Sequence, residues 1–399
     1  MLFAASLVVR TLYVVLPVLS LLAFVRPSPR ALRASVAGGW ISGMLVGGCV
    51  AAGYVVAMGG AISATQAAFA CYFGVSLLLL LKLVDALIFN GTRRLFRARE
   101  GAFWRSASAS LLRVVLMACF ALPWVMAAVM VYRPRVHAQQ SPADLLHTEC
   151  DDVVFTARDG TRIAGWYLPS NKESSTVALL CHGLGSGRAG WLTLIDRLHR
   201  DGVNVLAIDL RAHGDSGGQL CSFGAREKLD PIAAVDWLKS THPESAERIV
   251  GVGASLGSAA LFAAAADDSR IDAVASLSTF DTLQNELNDV ATRRMPRPLG
   301  WLARHLALPM ASLHAGVDLR TVRPIDAIDK LWPRPVFIVH ATGDEIIPFD
   351  AGVRLYQQAT QPKQSLWIKG GSHNGLLEDP EVLKAVEQFV RNATAEPVI

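Results

Sequence analysis

The sequence has little charge, and acidic residues are scarcest near its N-terminus. Only 18% of its 399 residues are charged, below the roughly 25% of an ordinary soluble protein. Residues 1–140 contain 13 Lys and Arg but only two acidic residues, Asp85 and Glu100, whereas the rest of the chain has more acidic than basic residues. Because the two parts have opposite charge, the net charge of +4 does not indicate nucleic-acid binding. We expect residues 1–140 and the rest of the chain to be surrounded by two different kinds of solvent.

The sequence is also poor in cysteine, and its six cysteines do not occur at the short paired spacings that hold a zinc ion. Three of them, Cys150, Cys181 and Cys221, lie in the second part, where one thiol stays free if two form a disulfide. Cysteine usage therefore does not indicate a redox compartment. We expect the protein to need no metal ion or other cofactor.

Four apolar stretches in the first part are long enough to span a bilayer, which takes about 20 mostly apolar residues. They cover roughly residues 2–25, 35–58, 65–89 and 111–132. A signal peptide is the alternative for the first stretch, but no A-x-A cleavage site follows it. Buried soluble helices are the alternative for the others, but their length and low charge argue against it. We predict a transmembrane region over residues 1–135.

Arginines predict the orientation of these spans, since positively charged loops stay in the cytoplasm. Three lie between the first and second spans and five between the third and fourth, whereas residues 59–64 are uncharged. Both termini and everything after Tyr132 are then outside the cytoplasm, although Arg133 and Arg135 argue the other way. The sequence thus predicts an integral protein of a bacterial-type inner or plasma membrane, in contact with membrane lipids.

After a polar linker over residues 136–149, short apolar runs alternate with helical patterns as far as the C-terminus. A hairpin of two strands is predicted around residues 158–160. Further strands are predicted at TVALLCHG, VNVLAIDLRAHG, RIVGVGAS, IDAVASLST, RPVFIVHATGD and QSLWIKG. Apolar strands that alternate with helices indicate an α/β fold, with a mostly parallel sheet and helices on both faces. Ligands bind such sheets at the carboxyl ends of the strands.

A glycine-flanked serine follows one of these strands, in the stretch GVGASLG at residues 251–257. Ser255 lies between a predicted strand and a predicted helix, with Gly253 and Gly257 two residues before and after it. This pattern is typical of the strained turn that carries a nucleophilic serine, where glycines avoid side-chain clashes. The alternative is a small residue in a tight turn. A serine nucleophile needs a base, so the choice depends on the other strand ends.

The motifs at these strand ends resemble those of the α/β-hydrolase fold superfamily, in particular its Bem46-like and prolyl-oligopeptidase-like serine hydrolases. The matching motifs lie between residue 150 and about 393, and they are CHG at 181–183, DLRAHGDSGG at 209–218, GASLG, HATGDEIIP and GSHN. The resemblance implies an α/β-hydrolase domain over residues 150–399 with a catalytic triad. The four apolar stretches lie outside the resemblance.

The proposed triad residues follow in the chain order that this fold uses, which is serine, acid, histidine. His373, in a glycine-rich loop after the last strand, is the predicted base, and its rivals are His182, His213 and His340. Asp344, at the end of RPVFIVHATGD, is predicted to orient the base. Asp281, after the strand IDAVASLST, is the rival acid.

Two backbone N–H groups are predicted to form the oxyanion hole. One is that of Leu256, directly after the nucleophile. The resemblance places the other at Leu184, after a structural turn formed by His182 and Gly183. We expect the substitution Gly183→Val to block this turn.

Residues 281–330 separate two core strands and are predicted to form a cap over the site. The cap carries an apolar surface around Trp301 and a basic one formed by four arginines, Arg293, Arg294, Arg297 and Arg304. These features suit a lipid or acylated substrate, and the alternative is a lid that only excludes water.

The sequence therefore predicts a membrane-anchored serine hydrolase, with a small-molecule or lipid-like acyl substrate and no nucleic-acid partner. It would cleave carboxylic esters or thioesters through an acyl-enzyme on Ser255. One alternative is a serine peptidase of the same fold. Another is a non-enzymatic membrane receptor or transporter with a hydrolase-like binding domain.

Overall fold

The computed structural model of the protein describes residues 123–124, 126–132, 135–146 and 148–393. The first three predicted spans and residues 111–122 of the fourth lie outside this part and stay predictions. Within the described part, no helix combines the length and the apolar character needed to cross a bilayer. The chain divides into two units, Met1–Ala128 with Met310–Gly316, and Val129–Pro309 with Val317–Ile399. The second unit holds the sheet.

The sheet has eight strands in the order β1-β2-β4-β3-β5-β6-β7-β8. β1 and β2 form the predicted antiparallel hairpin and β2 is antiparallel to β4, whereas all other neighbours are parallel. The prediction of a mostly parallel sheet is thus confirmed. The strands are β1 Asp151–Thr156, β2 Arg162–Leu168, β3 Thr176–Cys181, β4 Asn204–Ile208, β5 Arg248–Ala254, β6 Ala273–Leu277, β7 Val336–Ala341 and β8 Lys363–Ile368.

Helices connect the parallel strands, as parallel pairing requires. Those in the described part are α1 Pro142–Leu146, α2 Leu192–Arg200, α3 Leu229–Thr241, α4 Leu256–Asp267, α5 Leu283–Arg294, α6 Arg297–Leu302, α7 Leu308–Ala315, α8 Pro324–Ile328, α9 Phe349–Gln358 and α10 Pro380–Asn392. α1 lies inside the segment predicted to be a linker. α5 to α8 lie between β6 and β7, in the segment predicted to be a cap.

The core explains why the central strands are mostly apolar. Every residue of β3, β4 and β6 is buried. On one face, alternate strand residues such as Leu180 and Val252 pack in one cluster with Leu198 of α2 and Val386 of α10. α3 and α4 also contact β3 but contribute nothing to that cluster, so they cover the other face. A strand with helices on both faces is buried on both sides, so most of its side chains are apolar.

Candidate active site

The three predicted triad residues lie at the same edge of the sheet. Ser255 follows the last residue of β5, Asp344 follows β7, and His373 lies in the loop after β8. These strands are parallel, so their carboxyl ends meet at one edge, and only β6 separates β5 from β7. The structure joins two of the three directly, since His373 Nδ1 lies 2.8 Å from Asp344 Oδ2.

Ser255 has a strained backbone, with φ at 50° and ψ at −111°. A positive φ is uncommon outside glycine and often marks a functional position. Two hydrogen bonds hold it there: the Ser255 N–H donates to the Leu277 carbonyl at 2.8 Å, and the Thr279 hydroxyl donates to the Ser255 carbonyl at 2.8 Å. Ser255 therefore belongs to a sharp turn between β5 and α4, braced by the end of β6.

The two glycines around Ser255 allow α4 to pack closely against the sheet. A Cβ atom at Gly253 would lie 2.5 Å from the Ser258 nitrogen, and one at Gly257 would lie 2.0 Å from the Cys181 carbonyl oxygen. Both distances are too short for any side chain, and both partners are backbone atoms that cannot rotate away. The G-x-S-x-G pattern thus has a steric cause in this fold.

Gly183 differs from these two glycines. Its φ is outside the left-handed region, and a Cβ atom there would make an ordinary contact with Ser255 Cβ at 3.4 Å. The turn therefore does not require the conformational freedom of glycine. A larger side chain at this position would instead occupy the space next to Ser255.

His182 fixes the loop that follows β3. The His182 side chain is buried, its Nδ1 lies 2.7 Å from the Gly183 carbonyl, and its Nε2 accepts a hydrogen bond from the Leu210 N–H at 3.0 Å. Because Nε2 accepts, Nδ1 carries the proton and donates to Gly183. Burial, followed by the neighbouring His213, lowers the pKa of His182 to about 3. His182 is thus a neutral positioning residue and cannot act as the base.

The other two rival histidines are also occupied by structural bonds. His340 is fully buried, and its Nε2 donates to the Ile347 carbonyl at 3.1 Å. Burial lowers the pKa of His340, which disfavours the charged form that a base must adopt. His213 is buried as well, with Nδ1 2.9 Å from the Arg211 carbonyl. Neither histidine matches the position of His373 at the last strand end.

Asp344 is held so that it can orient His373. Its Oδ1 accepts hydrogen bonds from the N–H groups of Ile346 at 2.9 Å and Ile347 at 2.8 Å, which leaves Oδ2 for His373. Burial alone would raise the pKa of Asp344, but the hydrogen bond and charge of His373 and the two N–H groups outweigh it, so this pKa lies below its usual value. An ionised Asp344 keeps the proton on Nδ1 of His373, so that Nε2 can accept one.

The rival acid, Asp281, is bound to other groups. Its Oδ2 accepts from Arg354 Nε of α9 at 2.7 Å and from Asn285 Nδ2 of α5 at 2.8 Å. Burial would raise the pKa of Asp281, but these two partners outweigh burial and lower it. Asp281 therefore links the cap helix α5 to α9, whereas Asp344 is the acid that contacts the histidine.

The two predicted oxyanion donors flank the serine. Leu256 begins α4, where the first N–H groups of a helix have no partner within the helix. Leu184 follows Gly183, which packs on Ser255. Within the described residues, neither N–H has a hydrogen-bond acceptor, and no hydrogen bond joins Ser255 Oγ to His373. In enzymes without substrate, that last bond is often long and shortens only in the complex.

The sequence pattern did not reveal the role of two cap arginines. Arg293 donates to the Ile346 carbonyl at 3.0 Å, and Arg294 donates to the Glu345 carbonyl. Both were predicted only as part of a basic surface. They bind the end of α5 to the loop of Asp344, so the cap and the triad loop are joined.

Comparison with known proteins now places the chain in a family. A model of the alpha/beta hydrolase family matches residues 178–386. The chain belongs to the alpha/beta hydrolase family. Relatives of this alpha/beta hydrolase include YfhR of Salmonella typhi, 28% identical over 66% of this chain and 86% of YfhR. Another is alpha/beta hydrolase domain-containing protein 17B of Xenopus tropicalis, 25% identical over 58% of this chain and 72% of that protein.

Solved structures also resemble this alpha/beta hydrolase. The esterase Pf2001 of Pyrococcus furiosus has a TM-score of 0.55 and 23% identity, over 66% of this chain and 98% of that one. At this identity the likeness establishes the fold alone. The family and these esterase neighbours together support a hydrolase, and the site geometry is the basis for anything finer.

Proposed function

We propose that this alpha/beta hydrolase is a serine esterase that hydrolyses carboxylic esters or thioesters through an acyl-enzyme on Ser255. One observation carries the proposal: the strained Ser255 stands at the sheet edge that also holds the hydrogen-bonded Asp344–His373 pair. A serine hydroxyl becomes nucleophilic only beside a base that a third group orients. Asp344 and His373 supply these two roles.

In the first half of the reaction, Ser255 Oγ attacks the acyl carbon and its proton passes to His373 Nε2. The N–H groups of Leu184 and Leu256 stabilise the oxyanion, and each such donor contributes about 10²–10³-fold to kcat in comparable enzymes. The carbon–oxygen or carbon–sulfur bond then breaks, and the leaving alcohol or thiol takes the proton from His373. Asp344 stabilises the imidazolium throughout.

In the second half, water attacks the acyl-enzyme. His373 Nε2 takes a proton from the water, the carbonyl oxygen again becomes an oxyanion at the same two N–H groups, and Ser255 leaves with the proton returned. The products are a carboxylic acid and the regenerated serine. His373 Nε2 thus accepts the proton of the nucleophile in both halves of the reaction, first from Ser255 and then from water.

We further propose that residues 1–132 anchor the enzyme in a membrane and that the hydrolase domain lies outside the cytoplasm. The support is the four apolar stretches and the arginine-rich loops between them. A lipid or acylated substrate fits this placement, because the cap carries the half-exposed Trp301 beside its four arginines. Protease protection of the C-terminal domain in sealed cells or inverted vesicles would decide the orientation.

The first experiment uses a fluorophosphonate probe, which reacts with an activated serine. Membranes that contain the full chain are labelled as wild type, as Ser255→Ala and as Ser186→Ala, a control in the loop after β3. We expect labelling of wild type and of Ser186→Ala and none of Ser255→Ala. Folded wild type without labelling would contradict the proposal, and faster cleavage of matched amides than of esters would indicate a peptidase.

A further inference from the structure

A carboxyl oxygen in the cap has no use in the mechanism above. Glu286 Oε2 is shielded from solvent, and it has no hydrogen-bond partner among the residues that the structure describes. Buried polar atoms are nearly always hydrogen-bonded, and leaving one unpaired costs about 1–3 kcal/mol. Two more such atoms, Ser278 Oγ and Asp281 Oδ1, occur in the same segment after β6. A polar group of a bound ligand would supply the hydrogen-bond partner that Glu286 Oε2 lacks.

Glu286 lies near the loop of Asp344, because Asp344 is among the charged groups that act on its carboxyl group. Glu286 lies in the first turn of α5, shortly after β6, the strand between those that lead to Ser255 and Asp344. The other end of α5 is bound to the loop of Asp344 through Arg293 and Arg294. The helix that carries Glu286 therefore extends from the end of β6 to the triad loop.

The charges around Glu286 come from both elements that meet there. Arg293, Asp289 and Arg294 lie on its own helix, and Asp344 acts on it from the loop after β7. Burial is the main influence and raises the pKa of Glu286 to about 8, since the arginines only partly offset burial and the two carboxylates. At neutral pH the group is therefore mostly a neutral acid, and a neutral acid has an O–H to donate.

We propose that Glu286 is a substrate-recognition residue, whose carboxyl group donates a hydrogen bond to an oxygen acceptor on the acyl part of the bound ester. The substrates so favoured are esters whose acyl chain carries an ether, hydroxyl or carbonyl oxygen close to the reacting carbon. This proposal rests on the proposed acyl transfer at Ser255. It adds that the cap favours polar acyl chains through a hydrogen bond, in addition to covering the active site.

The test compares two esters of equal chain length, p-nitrophenyl methoxyacetate and p-nitrophenyl butyrate. Each kcat/KM is divided by the rate constant of the same ester with hydroxide, which removes the difference in chemical reactivity. We expect the wild type to favour the methoxyacetate about 3- to 10-fold, which is the value of one hydrogen bond. Glu286→Gln, which keeps a donor, should keep the preference, and Glu286→Leu should bring the ratio to about one.

The pH dependence of the ratio separates recognition from a structural role. In the wild type, the preference should disappear as pH rises through about 8, where Glu286 loses its proton. In Glu286→Gln it should persist, because an amide does not titrate there. Asp289→Asn, a change one turn along the same helix, is the matched comparison. It should keep the ratio below pH 7 and move its alkaline loss to lower pH, because the Asp289 charge helps to raise the pKa of Glu286.

Several outcomes would overturn the proposal. They are a wild-type ratio of one, an unchanged ratio in Glu286→Leu, or an alkaline loss that persists in Glu286→Gln. If Glu286→Leu does not fold, the pH profiles of wild type and Glu286→Gln still decide. Labelling of wild-type Ser255 by the fluorophosphonate probe distinguishes failure of this proposal, which leaves labelling intact, from failure of the proposed esterase activity.

Discussion

Asp344→Asn is the substitution that tests the proposed triad most directly. The amide can keep the two bonds from the Ile346 and Ile347 N–H groups through its oxygen. Its NH₂ group then replaces Oδ2, the atom that accepts from His373 Nδ1 at 2.8 Å. Because an NH₂ donates, His373 must place its proton on Nε2, where it can no longer accept the proton of Ser255.

The magnitude follows from this change of tautomer. The corresponding substitution in a serine-protease triad lowers kcat about 10⁴-fold, and each factor of ten is about 1.4 kcal/mol of barrier. We therefore expect about 5 kcal/mol less transition-state stabilisation in Asp344→Asn. The fold should survive, because the amide is isosteric and its oxygen keeps both backbone bonds. Hydrolysis of p-nitrophenyl butyrate at pH 7.5 to 8 by the full chain in detergent measures kcat, and thermal unfolding measures stability.

Asp281→Asn is the matched comparison, because Asp281 is the other acid at a strand end. Loss of the Asp281 charge weakens the ion pair with Arg354. Because this arginine is partly exposed, we expect the free energy of unfolding to fall by only about 1–2 kcal/mol. We expect kcat to stay within about threefold of wild type. The reasoning would be refuted if Asp344→Asn kept more than a tenth of the activity while Asp281→Asn lost nearly all of it.

Three further predictions follow from the same geometry. Gly257→Ala should prevent folding, because its Cβ would lie 2.0 Å from the Cys181 carbonyl oxygen. Gly183→Ala should fold, because its Cβ would make an ordinary contact with Ser255 Cβ at 3.4 Å. Circular dichroism and a melting curve compare the two variants. His182→Ala should lower kcat about 10²-fold by freeing the loop of one oxyanion donor, and an unchanged kcat would contradict that role. The groups that lower the pKa of Asp344 stabilise its ionised form. Their contribution to the free energy of unfolding is therefore present above the usual carboxyl pKa and is lost as pH falls through the lowered value. The stability advantage of wild type over Asp344→Asn should therefore shrink during acid titration of the unfolding free energy, and an advantage constant down to pH 2 would contradict it.

Local patterns in the sequence were enough to predict the α/β fold and to nominate the residues of the candidate site. Apolar runs of strand length, separated by helical patterns, predict parallel strands, and parallel strands bring their carboxyl ends to one edge. Ser255, Asp344 and His373 could be nominated because each follows such a run. The glycines at 253 and 257 were also visible, since a sharp turn against a packed helix excludes side chains.

Only the tertiary structure distinguished candidates that look alike in sequence. Asp281 and Asp344 both follow strands, and their difference is that one contacts Arg354 and the other His373. His182 is excluded as the base by burial and by its bond with Leu210, a residue 28 positions away. These distinctions depend on distances between residues far apart in the chain, which no local pattern records.

Glu286 shows the same limit most clearly. In the sequence it is one acidic residue on a helix with polar neighbours, and nothing local separates it from Asp289. In the structure its Oε2 is buried and has no hydrogen-bond partner among the described residues, and Asp344 is one of the charges that act on it. The sequence by itself thus determined the strands, the turn chemistry and the order of the site residues, because these depend on local periodicity and sterics. Packing alone decided which polar groups of the described residues are buried with a hydrogen-bond partner and which without one, because burial is a property of the whole fold.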